Sequence, residues 1–99
     1  EMRPKMYISG KITGRSRCDT ETEFSRGVRD AVGWGFVPYS PLRNGLPKCA
    51  PWLLHMIVDI IILMRCDAVY MLRSWIDSKG AKIENKIAKK LKKTIYYED

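Results

Sequence analysis

Residues 66–85 read CDAVYMLRSWIDSKGAKIEN, and they hold a strand, a loop and a helix start in that order. The run Ala68-Val69-Tyr70-Met71-Leu72 is short and apolar, the pattern of a buried strand. Ser78-Lys79-Gly80 then has the form of a helix opening. The first N–H groups of a helix lack intrahelical acceptors and carry the positive end of its dipole, so such a turn is a ready anion site. Glu84 falls in the second turn of that helix, close to whatever those N–H groups hold. A phosphate grip beside a carboxylate is the layout that cleavage of a nucleotide requires. Without a ligand, the same pattern is an ordinary strand-to-helix turn with one more acid on the helix.

Downstream, Ile83, Ile87, Ala88 and Leu91 mark the apolar face of this last helix, and Thr94-Ile95-Tyr96-Tyr97 reads as a closing strand. Upstream lies Trp52 to Arg65, apolar nearly all round, which its length makes a helix. A helix apolar on all sides is buried on more than one, and in a small protein that implies a subunit interface. Asp59 stands in the middle of it, where a carboxylate is costly unless paired or functional. His55, one turn earlier, reads as a core or interfacial histidine. Ser40 to Pro51 is a long loop with three prolines, either a functional lid or a connector. Phe36-Val37-Pro38-Tyr39 is a short strand whose proline argues for an edge position.

The chain begins with an apolar run, Lys5-Met6-Tyr7-Ile8-Ser9, read as the first strand. It opens into Gly10-Lys11-Ile12-Thr13-Gly14-Arg15, whose glycines permit close backbone approach and whose cations suit phosphate. Thr20-Glu21-Thr22-Glu23 has the form of a capping box, with Thr20 as N-cap and Glu23 reaching back. Phe24, Val28, Ala31 and Val32 would then form one buried helix face, ended by Gly33 and Gly35. Strands and helices alternate throughout. That order predicts a small α/β three-layer sandwich of the Rossmann or flavodoxin-like kind, with about four mainly parallel strands. Ligands in such sheets sit at the carboxyl ends of the strands. The Gly10–Gly14 loop, the surroundings of Asp59 and the Ser78–Glu84 turn can all meet there.

At 99 residues the chain is one small domain, spanning 1–99. It buries only about 60–65% of its unfolded surface, so a thin core completed by self-association is expected. The three cysteines are odd in number and lack ligand spacing, which argues for a reducing compartment and against zinc. No signal peptide is evident. The most apolar run, Met56 to Met64, is interrupted by Asp59 and falls short of the ~20 residues of a membrane span. A cytoplasmic protein without membrane contact is the expectation. The net charge of +7 invites a nucleic-acid partner, but its lysines crowd the last helix opposite the apolar positions, as on a solvated face. No aromatic-plus-basic stripe accompanies them, which weighs against nucleic acid.

On these residues the chain resembles the nucleoside 2-deoxyribosyltransferase superfamily, and most closely its nucleoside 5′-monophosphate N-glycosidase branch. That branch includes the 2′-deoxynucleoside 5′-phosphate hydrolases, and the chain looks like a compact phage or bacterial version of it. Tyr7-Ile8-Ser9-Gly10-Lys11-Ile12-Thr13-Gly14 is similar to the first-strand motif with its phosphate loop. Asp59 precedes Asp67 by the family's interval between a catalytic aspartate and the acid opening the next strand. Ser78-x-Gly80-x-x-x-Glu84 is similar to the motif of the nucleophilic glutamate.

The resemblance implies a single deoxyribosyltransferase-like domain, a small nucleotide substrate, no metal or organic cofactor, and a homodimer or higher homo-oligomer. It implies Glu84 as nucleophile, Asp59 as orienting group or proton donor, and Tyr7 as the residue positioning Glu84. Gly10, Ile12, Thr13, Gly14, Ser78 and Gly80 would contact phosphate and sugar, with Arg15 as a nearby cation. Transferases of the superfamily usually carry an acid at the position of Ser78, whereas the monophosphate hydrolases carry serine. Asp77 is one residue away, and Lys82 replaces a small residue common in the motif. Base exchange between nucleosides and non-catalytic nucleotide binding are the alternatives.

Overall fold

The computed structural model describes residues 2–99. Four strands, β1 (Lys5–Ser9), β2 (Val37–Tyr39), β3 (Ala68–Met71) and β4 (Thr94–Tyr97), form one sheet in the order β2-β1-β3-β4. Every pairing is parallel, with Tyr7 opposite Tyr39 on one side and Val69 on the other. Three helices connect them: α1 (Arg17–Gly33), α2 (Trp52–Met64) and α3 (Lys79–Lys90). This is the α/β architecture expected, with β2 and its proline on an edge.

The side-chain period of two assigns β1 to two cores. Met6 and Ile8 join Phe24 and Ala31 of α1, with Ala68, Tyr70 and Leu72, on one face. Tyr7 joins Leu63, Val69, Met71, Ala81 and Ala88 on the other, under α2 and α3. The order 2-1-3-4 reverses direction between β1 and β3. Connections leave there for opposite faces, so a crevice opens at the carboxyl ends of those two strands. Both Gly10 and Leu72 lie at that end.

Three local expectations are corrected. The cap of α1 is Ser16, whose hydroxyl accepts from Asp19 N–H, so the helix begins a turn before Thr20. Thr20 lies inside it and its hydroxyl donates to the Ser16 carbonyl at 2.9 Å. Glu23 is drawn away from any cap by Arg15 and Ser74. Second, the buried face of α1 is Thr20, Glu23, Phe24, Gly27 and Ala31; Val32 is exposed because it lies a quarter-turn off that stripe. Third, the buried face of α3 is Ala81, Glu84, Asn85 and Ala88, while Leu91 caps the helix end and is exposed.

The loop between β3 and α3 is a 3-10 turn, Arg73–Asp77, and another, Pro41–Arg43, lies within the 40–51 loop. Helix α2 is apolar on both sides. It buries Met56, Asp59 and Leu63 against the body and leaves Leu53, Ile57, Ile61 and Met64 exposed in a stripe, each at 46–64%. Among the described residues no helix is long and apolar enough to cross a membrane.

Candidate active site

Tyr7 and Ser9 are two apart on β1, so both side chains leave the same face of the sheet. That face is covered by α3, which turns Glu84 toward them. The Tyr7 hydroxyl donates to one carboxylate oxygen of Glu84 at 2.8 Å, and the Ser9 hydroxyl donates to the other at 2.7 Å. All three side chains are buried, Glu84 at 4% exposure. No cation offsets the carboxylate among the described residues. Burial therefore dominates and raises its pKa from 4.5 to about 7, with nearby Asp59 pushing the same way and the two hydroxyls pulling back. Burial and the same carboxylate hold the Tyr7 hydroxyl well above its ordinary pKa, so it stays a neutral donor.

Asp59 reaches the same space from α2. Burial raises its pKa from 3.8 to about 6, while a hydrogen bond from Asn44 and the field of His55 pull it down. The Asn44 amide donates to Asp59 Oδ1 at 2.9 Å and lies 3.0 Å from His55 Nδ1. Leu46 N–H donates to the Asn44 carbonyl oxygen, which orients the amide. His55 Nε2 faces the Pro47 carbonyl at 3.1 Å. His55 thus ties the 40–51 loop to α2. Two carboxyl groups with raised pKa values thus lie within reach of one another's field.

The turn into α3 opens at Ser78, as its sequence implies. Ser78 caps α3, its hydroxyl oxygen accepting from Ala81 N–H at 3.1 Å, and its own proton remains to be donated. The Lys79 and Gly80 N–H groups have no acceptor among the described residues. A Cβ on Gly80 would come within 3.0 Å of the Met56 sulfur, so this glycine lets α3 sit close on α2. Gly10 serves a similar end, since a Cβ there would press on Leu72 and Ser74 at 3.2 Å. Gly14 adopts φ +81°, which glycine tolerates best, and Ile12 and Thr13 are exposed beside it. Arg15 turns inward, donating to Glu23 and to the Lys11 carbonyl.

Tyr7, Asp59 and Glu84 are thus brought together, with Gly80 about one turn and Ser78 nearly two turns from Glu84 along α3. Ser9 and Asn44 were not expected as site residues. Ser9 carried a signal, its spacing of two from Tyr7; Asn44 carried none, because only the fold of its loop aims it at Asp59. An open concavity of about 690 Å³ lies on the outer side of α3, lined by Lys11, Asp77, Lys79, Lys82 and Lys86 among others. It does not include Glu84, whose side of the helix faces the sheet.

Comparison with known proteins bears on the fold and the family. A search of curated proteins finds no match. Among solved structures, a 2-desoxiribosyltransferase from Leishmania mexicana superposes with a TM-score of 0.71 over 95% of this chain, at 20% sequence identity. The chain spans 63% of the length of that protein. At such identity the likeness is one of fold, a Rossmann-like α/β fold. A family profile described as Domain of unknown function (DUF4406) matches residues 4–97, and the chain belongs to that family.

Proposed function

We propose that the protein is an N-glycosidase that hydrolyses the bond between base and sugar in a nucleoside 5′-monophosphate. One observation carries this reading: Glu84 is buried, both its oxygens are held by neutral hydroxyls, and it lies one turn from unpaired helix N–H groups. A carboxylate held by neutral donors keeps its nucleophilic lone pairs where a guanidinium would neutralise them. Glu84 attacks C1′ of the sugar, the bond from C1′ to the base nitrogen breaks, and the base leaves with a proton from Asp59. Water then adds at C1′ as it gives a proton back to Asp59, the bond from C1′ to Glu84 breaks, and the sugar phosphate leaves, as in a retaining glycosidase. Tyr7 and Ser9 fix the direction of attack. The Ser78 hydroxyl and the Lys79 and Gly80 N–H groups take the phosphate, with Gly10, Ile12, Thr13, Gly14 and Arg15 along its other side. A neutral serine suits a phosphate, which a carboxylate at that position would repel.

Base exchange proceeds through the same covalent intermediate, with a second base in place of water. The fold shared with a 2-desoxiribosyltransferase supports it, as does Asp77 beside Ser78. The exposed stripe of α2 carries no charge, while the chain as a whole is +7. Two copies repel least across that face, which favours a homodimer through α2.

The deciding experiment measures base release from nucleoside 5′-monophosphates and from free nucleosides, with Glu84→Gln alongside. Release from monophosphates that vanishes in the variant supports the hydrolase. Release or exchange with free nucleosides alone moves the reading to the transferase. Binding without any release makes the protein a nucleotide-binding module and sinks the mechanism.

A further inference from the structure

Glu23 is buried at 6% exposure on α1, across the sheet from Glu84, and it does not cap its helix. Its Oε1 accepts from the Ser74 hydroxyl at 2.6 Å and from the Arg15 guanidinium; its Oε2 accepts from Ser74 N–H at 3.3 Å. Each partner holds Lys11 in turn. The Lys11 N–H donates to the Ser74 hydroxyl oxygen at 2.9 Å, and the Lys11 carbonyl accepts from Arg15 at 3.2 Å. Both backbone polar groups of Lys11 are therefore one side chain away from Glu23. The bond from Arg15 to Lys11 also closes the segment Ile12-Thr13-Gly14 into a loop fixed at both ends. Meanwhile Ser74 belongs to the turn that leads from β3 into α3 and the Ser78 cap.

We infer that Glu23 is a positioning residue for substrate: it joins the loop after β1 to the turn after β3 and sets the width of the crevice between them. This rests on the glycosidase reading, in which those two segments receive the nucleotide. The network explains why an acid is buried at this point of α1. A neutral side chain would hold the Arg15 guanidinium only by an uncharged and weaker bond, and the Ile12–Gly14 segment would be less firmly fixed at one of its two ends. Charge-assisted bonds of this kind are among the stronger local anchors a loop can have. Glu23 acts through Arg15 and Ser74 and touches no reacting atom.

The test compares Glu23→Gln with wild type for steady-state base release, and for direct binding of a nucleoside 5′-monophosphate in a Glu84→Gln background. Glutamine keeps a neutral acceptor at Oε1 but removes the charge that balances Arg15 and the acceptor at Oε2 that takes Ser74 N–H. The expected result is a KM and a dissociation constant each raised roughly tenfold, with kcat within about twofold of wild type. Ser74→Ala, which leaves the Arg15 pair intact, should raise KM as well. The double variant should lose less than the product of the two effects, because both act through Lys11. Hydrogen exchange of the Lys11 amide should quicken in either variant. Faster exchange with KM and affinity unchanged would overturn the proposal and leave Glu23 a structural brace. Multiplicative effects would overturn it too. If the nucleotide binds but no base is released, the glycosidase reading fails alone, and affinity still reports on Glu23. If no nucleotide binds to any variant or to wild type, both readings fail.

Discussion

Two glutamates are buried on opposite sides of one thin sheet, and they are satisfied in opposite ways. Glu23 is held by a guanidinium, a hydroxyl and a backbone amide, a set that balances its charge. Glu84 is held by two hydroxyls alone, which satisfy its hydrogen-bonding geometry without balancing its charge. The first arrangement suits a fixture. In the second, an uncompensated carboxylate is kept in low dielectric, and its pKa climbs to about 7. Proteins tolerate that expense at sites where the charge is used. Burial alone therefore does not distinguish a structural acid from a reactive one. The charge of its partners does.

Removing each carboxylate in turn puts this contrast under the greatest load. Glu84→Gln should abolish base release, by roughly a thousandfold or more, since Glu84 is the carboxylate that the Tyr7 and Ser9 hydroxyls aim and Asp59 is held instead by Asn44. Glu23→Gln should leave turnover nearly intact at saturating substrate. Equal loss of turnover in both would erase the distinction.

Stability should move with opposite signs. Glu84 has a folded pKa raised above its unfolded value of 4.5, so the folded state binds more protons between about pH 4.5 and 7. Its contribution to stability is favourable below that window and is lost as pH rises through 7. At pH 8 the penalty is about 3 kcal/mol, since each pH unit between the unfolded and folded values costs about 1.4 kcal/mol. Asp59 adds a loss of the same sign ending near its own value of about 6. Denaturant unfolding should therefore find Glu84→Gln more stable than wild type at pH 8, by about 2–3 kcal/mol, with little gain at pH 4.5. Glu23→Gln leaves a half-buried guanidinium without its counter-charge and should be destabilised by about 1–3 kcal/mol at either pH. A Glu84→Gln protein less stable than wild type at pH 8 would mean that the carboxylate is compensated in solution after all.

Tyr7→Phe is a finer probe of the same site. Its hydroxyl lowers the Glu84 pKa, so its loss should move the ascending limb of the pH–rate profile upward from about 7. Turnover at neutral pH should fall roughly tenfold. An unmoved limb with reduced turnover would give Tyr7 a purely geometric role.

Much of this was legible in the sequence, for physical reasons that differ from residue to residue. The strand Lys5–Ser9 and the cap at Ser78 are set by local rules, alternation and an N-cap hydroxyl, and the structure keeps both boundaries. The cap of α1 was misplaced by those same rules, which put it at Thr20 where the structure has it at Ser16. What decides between them is the engagement of Glu23 by Ser74, fifty-one residues away, and no local rule contains that. Asp59 stood out as a charge in an apolar helix, whereas Asn44, which holds it, lies in a loop whose path depends on the whole fold.

Asn44 also separates the two roles open to Asp59, with the smallest effect of the set. Its amide lowers the Asp59 pKa, so Asn44→Ala should raise it above about 6 and keep Asp59 protonated to higher pH. If Asp59 hands its proton to the departing base, the descending limb of the profile moves upward and activity at pH 7 holds or rises a few-fold. If Asp59 instead acts as a charge beside Glu84, its protonation removes a repulsion that raises the Glu84 pKa, and the ascending limb moves downward. The two carboxyls titrate as a coupled pair, so the profile reports values of the pair and not of one residue. The direction in which each limb travels is still diagnostic, because the two roles shift opposite sides of the curve.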